Sequence, residues 1–168
     1  FNECERLGYD VATWIREGLV DYVIPTDFFH TDLNAEVGEF VSLTKGTDCR
    51  IYPSIHPLIS RLNSEALMNL SNYRAAAHSF YAAGADGLSS YNHFGACAWQ
   101  PPFYPQSLQI FPQLRNPDQV ARGERHYVFD PTYAGLDVFG GDGKCVTGVV
   151  KAQQLRLDRA AGAEGEFR

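Results

Sequence analysis

The sequence of 168 residues lacks a surplus of positive charge, because its 14 Lys and Arg residues are outnumbered by 20 Asp and Glu residues, for a formal net charge of −6. Phosphate backbones and anionic membrane surfaces are bound through clustered Lys and Arg side chains. The sequence also lacks any apolar run close to the roughly 20 residues that a membrane-spanning helix needs. We therefore expect neither nucleic acid nor a membrane to be a partner of this chain.

Cysteine motifs are absent as well. The four cysteines form no Cys-x-x-Cys pair and no Cys/His group at zinc spacing, which argues against a structural zinc site. Disulfides remain an option in an oxidising compartment, but a chain that is 45% hydrophobic does not need them to stabilise a core, so reduced, buried thiols are favoured. We predict no cofactor and no bound metal. The chain begins with Phe1 and shows no signal-peptide pattern, and we expect it to be part of a longer protein.

What the sequence does contain is an alternation of helical and strand patterns. Apolar residues at three- and four-residue steps predict helices over residues 2–18, 34–45 and 64–84, with Ser64 as the N-cap of the third. Short β-branched runs predict strands over 19–24, 50–55 and 85–91. Gly18, Gly46 and Gly84 follow the expected helices as stop signals. This order predicts an α/β fold with a parallel sheet.

The final third of the sequence does not continue this alternation of helices and strands. Five prolines between residues 101 and 117 interrupt any long element, although residues 105–114 have room for a short helical segment. Residues 126–129 and 145–157 resemble strands separated by a glycine-rich turn. We therefore expect two regions, an α/β domain over residues 1–122 and a β-rich C-terminal extension over residues 123–168.

Several motifs of the α/β region resemble those of a known family. They are Gly8-Tyr9-Asp10-Val11, Glu17-Gly18-Leu19-Val20-Asp21, Lys45-Gly46-Thr47, Arg74-Ala75-Ala76 and Gly84-Ala85-Asp86-Gly87. This set resembles the later part of uncharacterised bacterial proteins grouped as family-10-like glycoside hydrolases. The resemblance implies the C-terminal part of a (β/α)8 TIM barrel followed by a β-rich extension, in which these three strands would be the last three of eight.

The resemblance also implies a catalytic arrangement from which this sequence departs. Barrel glycosidases of that broad clan place an acid/base carboxyl after the fourth strand and a nucleophilic glutamate after the seventh. The fourth strand would lie upstream of Phe1. The seventh would end at residues 52–57, where His56 is present and no glutamate is found. Asp27 or Glu65 could supply the missing carboxylate.

Two residues at expected strand ends are catalytic candidates. Asp27 follows the first strand, where a carboxylate acts as a general base, accepts hydrogen bonds from sugar hydroxyls or binds a metal; the alternative is an Asx turn or a helix cap. His56 follows the second strand, and its imidazole is suited to acid/base chemistry near neutral pH. His56 and His93 with Asp27 or His30 would also supply two histidines and a carboxylate to a metal, although their spacing matches no known metal motif.

The loop after the third strand is rich in aromatic residues. Tyr91, Asn92, His93 and Trp99 combine rings that stack on apolar sugar faces with groups that hydrogen-bond hydroxyls, and we predict that they bind substrate. The alternative is that the rings of this loop pack against the β-rich extension.

These observations lead to one principal function and two alternatives. The principal prediction is a glycoside hydrolase-like protein that acts on a poly- or oligosaccharide at the C-terminal face of a barrel. The alternatives are a metal-dependent hydrolase that uses His and Asp at strand ends, and a non-catalytic carbohydrate-binding barrel. Because an open three-stranded parallel sheet leaves unpaired edges, we also expect the chain to self-associate or to pair with a missing N-terminal part.

Overall fold

A computed structural model of the chain describes residues 2–26, 31, 33, 35–57, 69–91, 93 and 106–127. The helices are α1 (Asn2–Arg6), α2 (Val11–Arg16), α3 (Val37–Leu43), α4 (Leu70–Ala82), a 3₁₀ helix (Gln106–Leu114) and α5 (Pro117–Arg122). The strands are β1 (Tyr22–Val23), β2 (Arg50–Ile51), β3 (Ser54–Ile55) and β4 (Ser89–Ser90).

The strands form a parallel sheet in chain order. β1 pairs with β2 in the register Tyr22↔Arg50, and β3 pairs with β4 in the register Ser54↔Ser89. β2 and β3 are two parts of one central strand, because hydrogen bonds join this strand to its neighbours beyond the paired residues. The N–H of Ser54 donates to the carbonyl of Pro25 at 2.9 Å on one side, and the N–H of Asp86 donates to the carbonyl of Ile51 at 3.0 Å on the other.

The central strand is interrupted where its sequence lacks a donor. Pro53 has no N–H, so it cannot donate to the neighbouring strand. Just before this gap, the Ile51 N–H donates to the side chain of Asp86 at 2.9 Å, and the same carboxylate binds the Arg50 guanidinium at 3.0 Å. A side chain thus takes the position of a backbone acceptor at the start of this strand.

The first predicted helix is divided in two. Gly8 adopts a left-handed φ of +85°, and the N–H of Tyr9 donates to the Cys4 carbonyl at 2.8 Å, which closes α1 with a Schellman motif. Asp10 then caps α2 by accepting a hydrogen bond from the Thr13 N–H at 3.0 Å. The prediction of one helix over residues 2–18 was therefore wrong, because the apolar periodicity spans a glycine turn and a new cap.

The start of the third predicted helix was also wrong. α4 begins at Leu70, and Asn69 is its N-cap in a reciprocal capping box with Asn72. The predicted cap, Ser64, lies outside the described residues. Gly84 ends this helix as expected: the N–H of Ala85 donates to the Phe80 carbonyl at 3.1 Å, and Gly84 itself has a φ of +97°.

The described core lies on one side of the sheet, between the strands and the helices. Its fully or nearly fully buried members come from α2, α3, the central strand, α4, the 3₁₀ helix and α5, and include Ile15, Val37, Ile51, Ile55, Tyr73, Phe80, Leu114 and Val120. The opposite face is more open, because the side chains of Tyr22 and Ile24 are 56% and 42% exposed. The helices therefore cover one face of the sheet in the described part of the chain.

The segment after α5 lies along α4. The N–H of His126 donates to the Ser71 carbonyl at 3.1 Å, and the Asn72 side-chain amide donates to the His126 carbonyl at 3.0 Å. His126 and Tyr127 have irregular backbone, so the predicted strand 126–129 does not begin at His126. The rest of that strand and the predicted strand 145–157 lie outside the described residues.

The helices of the described ranges are each too short or too polar to span a membrane.

Candidate functional site

The carboxyl ends of the three strands meet at one edge of the sheet, and Thr31 joins two of them. The Thr31 hydroxyl donates to the His56 carbonyl at 2.6 Å and accepts from the His56 N–H at 2.7 Å. Both residues are buried. Because one side chain satisfies both backbone groups of His56, the segment after β1 is tied to the end of β3 and the backbone at His56 is held in place.

The next contact joins His56 to the neighbouring strand. The imidazole of His56 lies 5.6 Å from the ring of Tyr91, measured between centroids, with the two planes inclined by 45°. Tyr91 is positioned by β4, since its N–H donates to the Ile55 carbonyl at 3.1 Å. Tyr91 is half-buried, whereas His56 is only 4% exposed. Two of the predicted site residues are thus brought together by adjacent parallel strands.

His93 follows β4 but is oriented by the helices. Its Nδ1 lies 3.2 Å from the hydroxyl of Tyr73 in α4, and its ring centroid lies 4.6 Å from that of Phe111 in the 3₁₀ helix. His93 is 6% exposed and Tyr73 is fully buried. His93 is therefore packed against the helices, and its contact with the Tyr73 hydroxyl orients the imidazole ring.

Three of the predicted site residues, Asp27, Asn92 and Trp99, lie outside the described residues, as do His30 and Glu65. The described residues that follow the strands, 24–26, 56–57, 91 and 93, include no Asp or Glu. Within the described ranges, no group of three His, Cys, Asp or Glu side chains is placed to hold a metal ion. The polar groups of the described part of this face are imidazoles and hydroxyls, and they lie beside the ring of Tyr91 and the apolar Ile24, Pro25 and Pro57.

These groups can form hydrogen bonds, exchange protons and contact apolar surfaces. Hydroxyls and imidazoles donate and accept hydrogen bonds, and an imidazole can exchange a proton near neutral pH. A half-buried tyrosine ring offers an apolar surface next to its own hydroxyl. The arrangement suits a neutral ligand that carries both hydroxyls and apolar faces.

Two members of this site were not identified from the sequence. Thr31 was not singled out, because its partner, His56, lies 25 positions away and nothing local indicates the contact. Tyr73 belongs to the apolar pattern of the third predicted helix, and its hydroxyl was the available signal, since a buried Tyr O–H usually requires a partner.

A second histidine–tyrosine pair lies on the other side of α4. The hydroxyl of Tyr127 lies 2.8 Å from Nδ1 of His78. Burial lowers the pKa of the His78 imidazole below its ordinary value of 6.5, and the Arg125 guanidinium lowers it further. Burial likewise raises the pKa of the Tyr127 phenol above 10.0. His78 is half-buried, and its hydrogen bond with Tyr127 ties the segment after α5 to α4.

No known family model matches this chain, and no curated protein matches it. The resemblance to family-10-like glycoside hydrolases therefore stays a prediction from the sequence motifs.

Proposed function

We propose that the carboxyl ends of the strands bind a carbohydrate, and that the chain is the later part of a (β/α)8-barrel protein of glycoside hydrolase type. The observation that carries the proposal is the pairing of His56 with Tyr91 at the ends of adjacent parallel strands, with ring centroids 5.6 Å apart. Ligands of α/β proteins bind at this edge of a parallel sheet, because the loops there converge.

The described side chains have distinct roles in this proposal. Tyr91 presents its ring to an apolar face of the sugar, and His56 donates or accepts a hydrogen bond at a neighbouring hydroxyl. Thr31 acts indirectly, since its two hydrogen bonds to the His56 backbone set the position of the imidazole. His93 is held against the helices by its contacts with Tyr73 and Phe111.

Hydrolysis would require a proton donor and a base. His56 is the candidate for the proton donor, since imidazoles are common general acids and bases, and Asp27 is the carboxylate that the sequence places after the neighbouring strand. In the proposed reaction, the acid protonates the glycosidic oxygen as the bond to the anomeric carbon breaks, and the base removes a proton from the attacking water. From the sequence, Asn92 and Trp99 are proposed as further substrate-binding residues.

Binding is tested first, with a panel of soluble oligosaccharides and titration calorimetry. We expect Tyr91→Ala to weaken binding at least about tenfold, because burying a large apolar side chain contributes roughly 1.5–3 kcal/mol. Tyr91→Phe keeps the ring and should retain most of the affinity. Tyr9→Ala is the matched control, since Tyr9 is an exposed tyrosine between α1 and α2. Equal affinities for the Tyr91→Ala and Tyr9→Ala variants would refute the proposed site.

Turnover is tested separately by release of reducing sugars. Loss of activity in His56→Gln with retained binding would support an acid/base role for the imidazole. Binding without turnover by the unmodified protein would instead favour a non-catalytic carbohydrate-binding barrel. Stoichiometric zinc or manganese that is lost in the His56→Gln variant would favour a metal-dependent hydrolase.

A further inference from the structure

The segment after α5, residues 124–127, is attached to the amino end of α4 by amide groups. The His126 N–H donates to the Ser71 carbonyl at 3.1 Å, and the Asn72 side-chain amide donates to the His126 carbonyl at 3.0 Å. Amides do not titrate between about pH 5 and pH 8, so this attachment is independent of pH in that range. The segment lies where the sequence predicts the junction between the α/β domain and the C-terminal extension.

A second attachment, about two turns farther along α4, includes a titratable imidazole. The Tyr127 hydroxyl lies 2.8 Å from Nδ1 of His78, and the two rings meet edge to face with their centroids 6.4 Å apart. Burial lowers the pKa of the His78 imidazole below its ordinary value of 6.5, and the Arg125 guanidinium lowers it further. Because Arg125 and Tyr127 both belong to the segment, its docking on α4 itself makes proton uptake by His78 less favourable.

The repulsion between Arg125 and a protonated His78 is not offset by a carboxylate of the described residues. Besides Tyr127, the remaining titratable or charged side chains of α4, α5 and the segment are Tyr73, Arg74, Tyr81, Asp118, Arg122, Glu124 and His126, and the 3₁₀ helix carries none. Glu124 lies 3.1 Å from Nε2 of His126. Both of these partners belong to the segment, so their pairing does not hold it on α4.

A protonated His78 therefore favours separation of the segment from α4. In the docked state the imidazolium is covered by Tyr127 and lies near the Arg125 guanidinium, whereas separation exposes it to water and removes the guanidinium. The undocked state binds the proton more tightly, so a fall in pH shifts the population toward it. The contribution of His78 to docking is complete above about pH 6.5 and decreases as the pH falls below that value.

We propose that residues 124–127 form an acid-released latch on α4, which is docked at neutral pH and opens when His78 takes up a proton, while the sheet and its helices stay folded. The opening is local because these residues have irregular backbone and none of them belongs to the described core. The buried residue that precedes the latch, Val120, lies within α5.

The decisive experiment measures hydrogen exchange of single backbone amides by NMR in the full chain, from pH 7.5 to pH 5. Each rate is expressed as a protection factor relative to the unfolded chain at the same pH. The His126 amide reports on the latch, and the Ala77 amide, in the middle of α4, reports on unfolding of the helix. At pH 7.5 the His126 amide should be less protected than that of Ala77, and its protection should fall at least about threefold by pH 5. Equal protection of the two amides would overturn the inference, because the segment would then separate only when α4 unfolds.

Three variants test the roles of His78 and Arg125. His78→Gln cannot titrate, so the protection of the His126 amide should become independent of pH. Arg125→Gln removes the repulsion and should make the fall in protection smaller. Arg122→Gln is the matched control, since it removes the same charge from an exposed position in the last turn of α5, and it should leave the fall unchanged.

Far-UV circular dichroism checks that each variant is folded. Protection that is independent of pH in the unmodified protein would overturn the inference. An unchanged fall in His78→Gln, or equal falls in Arg125→Gln and Arg122→Gln, would overturn it as well. Glycan binding is not part of this readout, so the latch and the proposed function can fail separately.

Discussion

The close approach of α4 to α3 at Gly84 permits a quantitative prediction. Gly84 has a φ of +97°, and a Cβ placed on it would lie 2.9 Å from Cγ1 of Val41. Gly84→Ala therefore meets two penalties. A left-handed conformation costs an L-residue roughly 1–2 kcal/mol, and forcing an extra methyl into a packed contact costs roughly 1–3 kcal/mol. We expect the free energy of unfolding to fall by about 2–5 kcal/mol.

Gly18 provides a matched control. It ends α2 in the same way, with its N–H donating to Ile15 and the next N–H donating to Trp14, and it has a φ of +66°. A Cβ on Gly18 would meet nothing within 4 Å. Gly18→Ala should therefore show the conformational penalty alone, about 1–2 kcal/mol.

Urea unfolding, followed by far-UV circular dichroism, measures both variants by linear extrapolation. The double variant Val41→Ala/Gly84→Ala separates the steric contact from the difference in φ, because removing the two Val41 methyl groups opens the space that the new methyl needs. Its destabilisation should be smaller than the sum of the two single effects by about 1 kcal/mol or more. Equal destabilisation by Gly84→Ala and Gly18→Ala, together with additivity in the double variant, would refute this reasoning.

Two further predictions concern polar contacts. Asp86→Ala removes the acceptor of the buried Ile51 N–H. It should lower the free energy of unfolding, measured in urea titrations, by about 1–3 kcal/mol. Asp86→Asn keeps an acceptor oxygen, so an equal loss of stability in both variants would contradict this role of Asp86. The lowered pKa of His78 means that the unfolded chain binds a proton more readily, so stability should decrease as pH falls below about 6.5. The difference in stability between the unmodified protein and His78→Gln, measured from pH 8 to pH 5, should shrink toward acid pH, and a constant difference would argue against the effect.

The alternation of helices and parallel strands was predictable because each signal is local. A glycine with left-handed φ closes a helix within a few residues of the apolar period, as at Gly84, and short β-branched runs mark strands such as residues 19–24. The breaks within the first predicted helix and the central predicted strand were not evident from the sequence pattern. Gly8 lies inside a continuous apolar period, so the pattern predicts one helix where a glycine turn separates two. Pro53 lies inside a run that predicts one strand, but its missing N–H divides that strand.

The candidate site was predictable only in part, and for a similar reason. The sequence placed His56 and Tyr91 at the ends of neighbouring strands, and parallel pairing brought their rings together. It contained no indication that Thr31 would bind the His56 backbone, or that Tyr73 would orient His93. Those contacts join residues 20 and 25 positions apart, and they form only when the crossover helices have packed on the sheet.

The sequence by itself therefore determined the alternation of helices and parallel strands and the glycine-marked ends of α2, α3 and α4, since these depend on interactions within a few residues. The tertiary structure alone decided which polar residues form hydrogen bonds between distant parts of the chain. Thr31, for example, binds both backbone groups of His56, which lies 25 positions away in the sequence. Asp86 becomes the acceptor for Ile51 because the parallel register brings the start of β4 beside β2. The physical reason is that a polar group gains from burial only where folding supplies its partner, and that partner is set by three-dimensional position rather than by sequence distance.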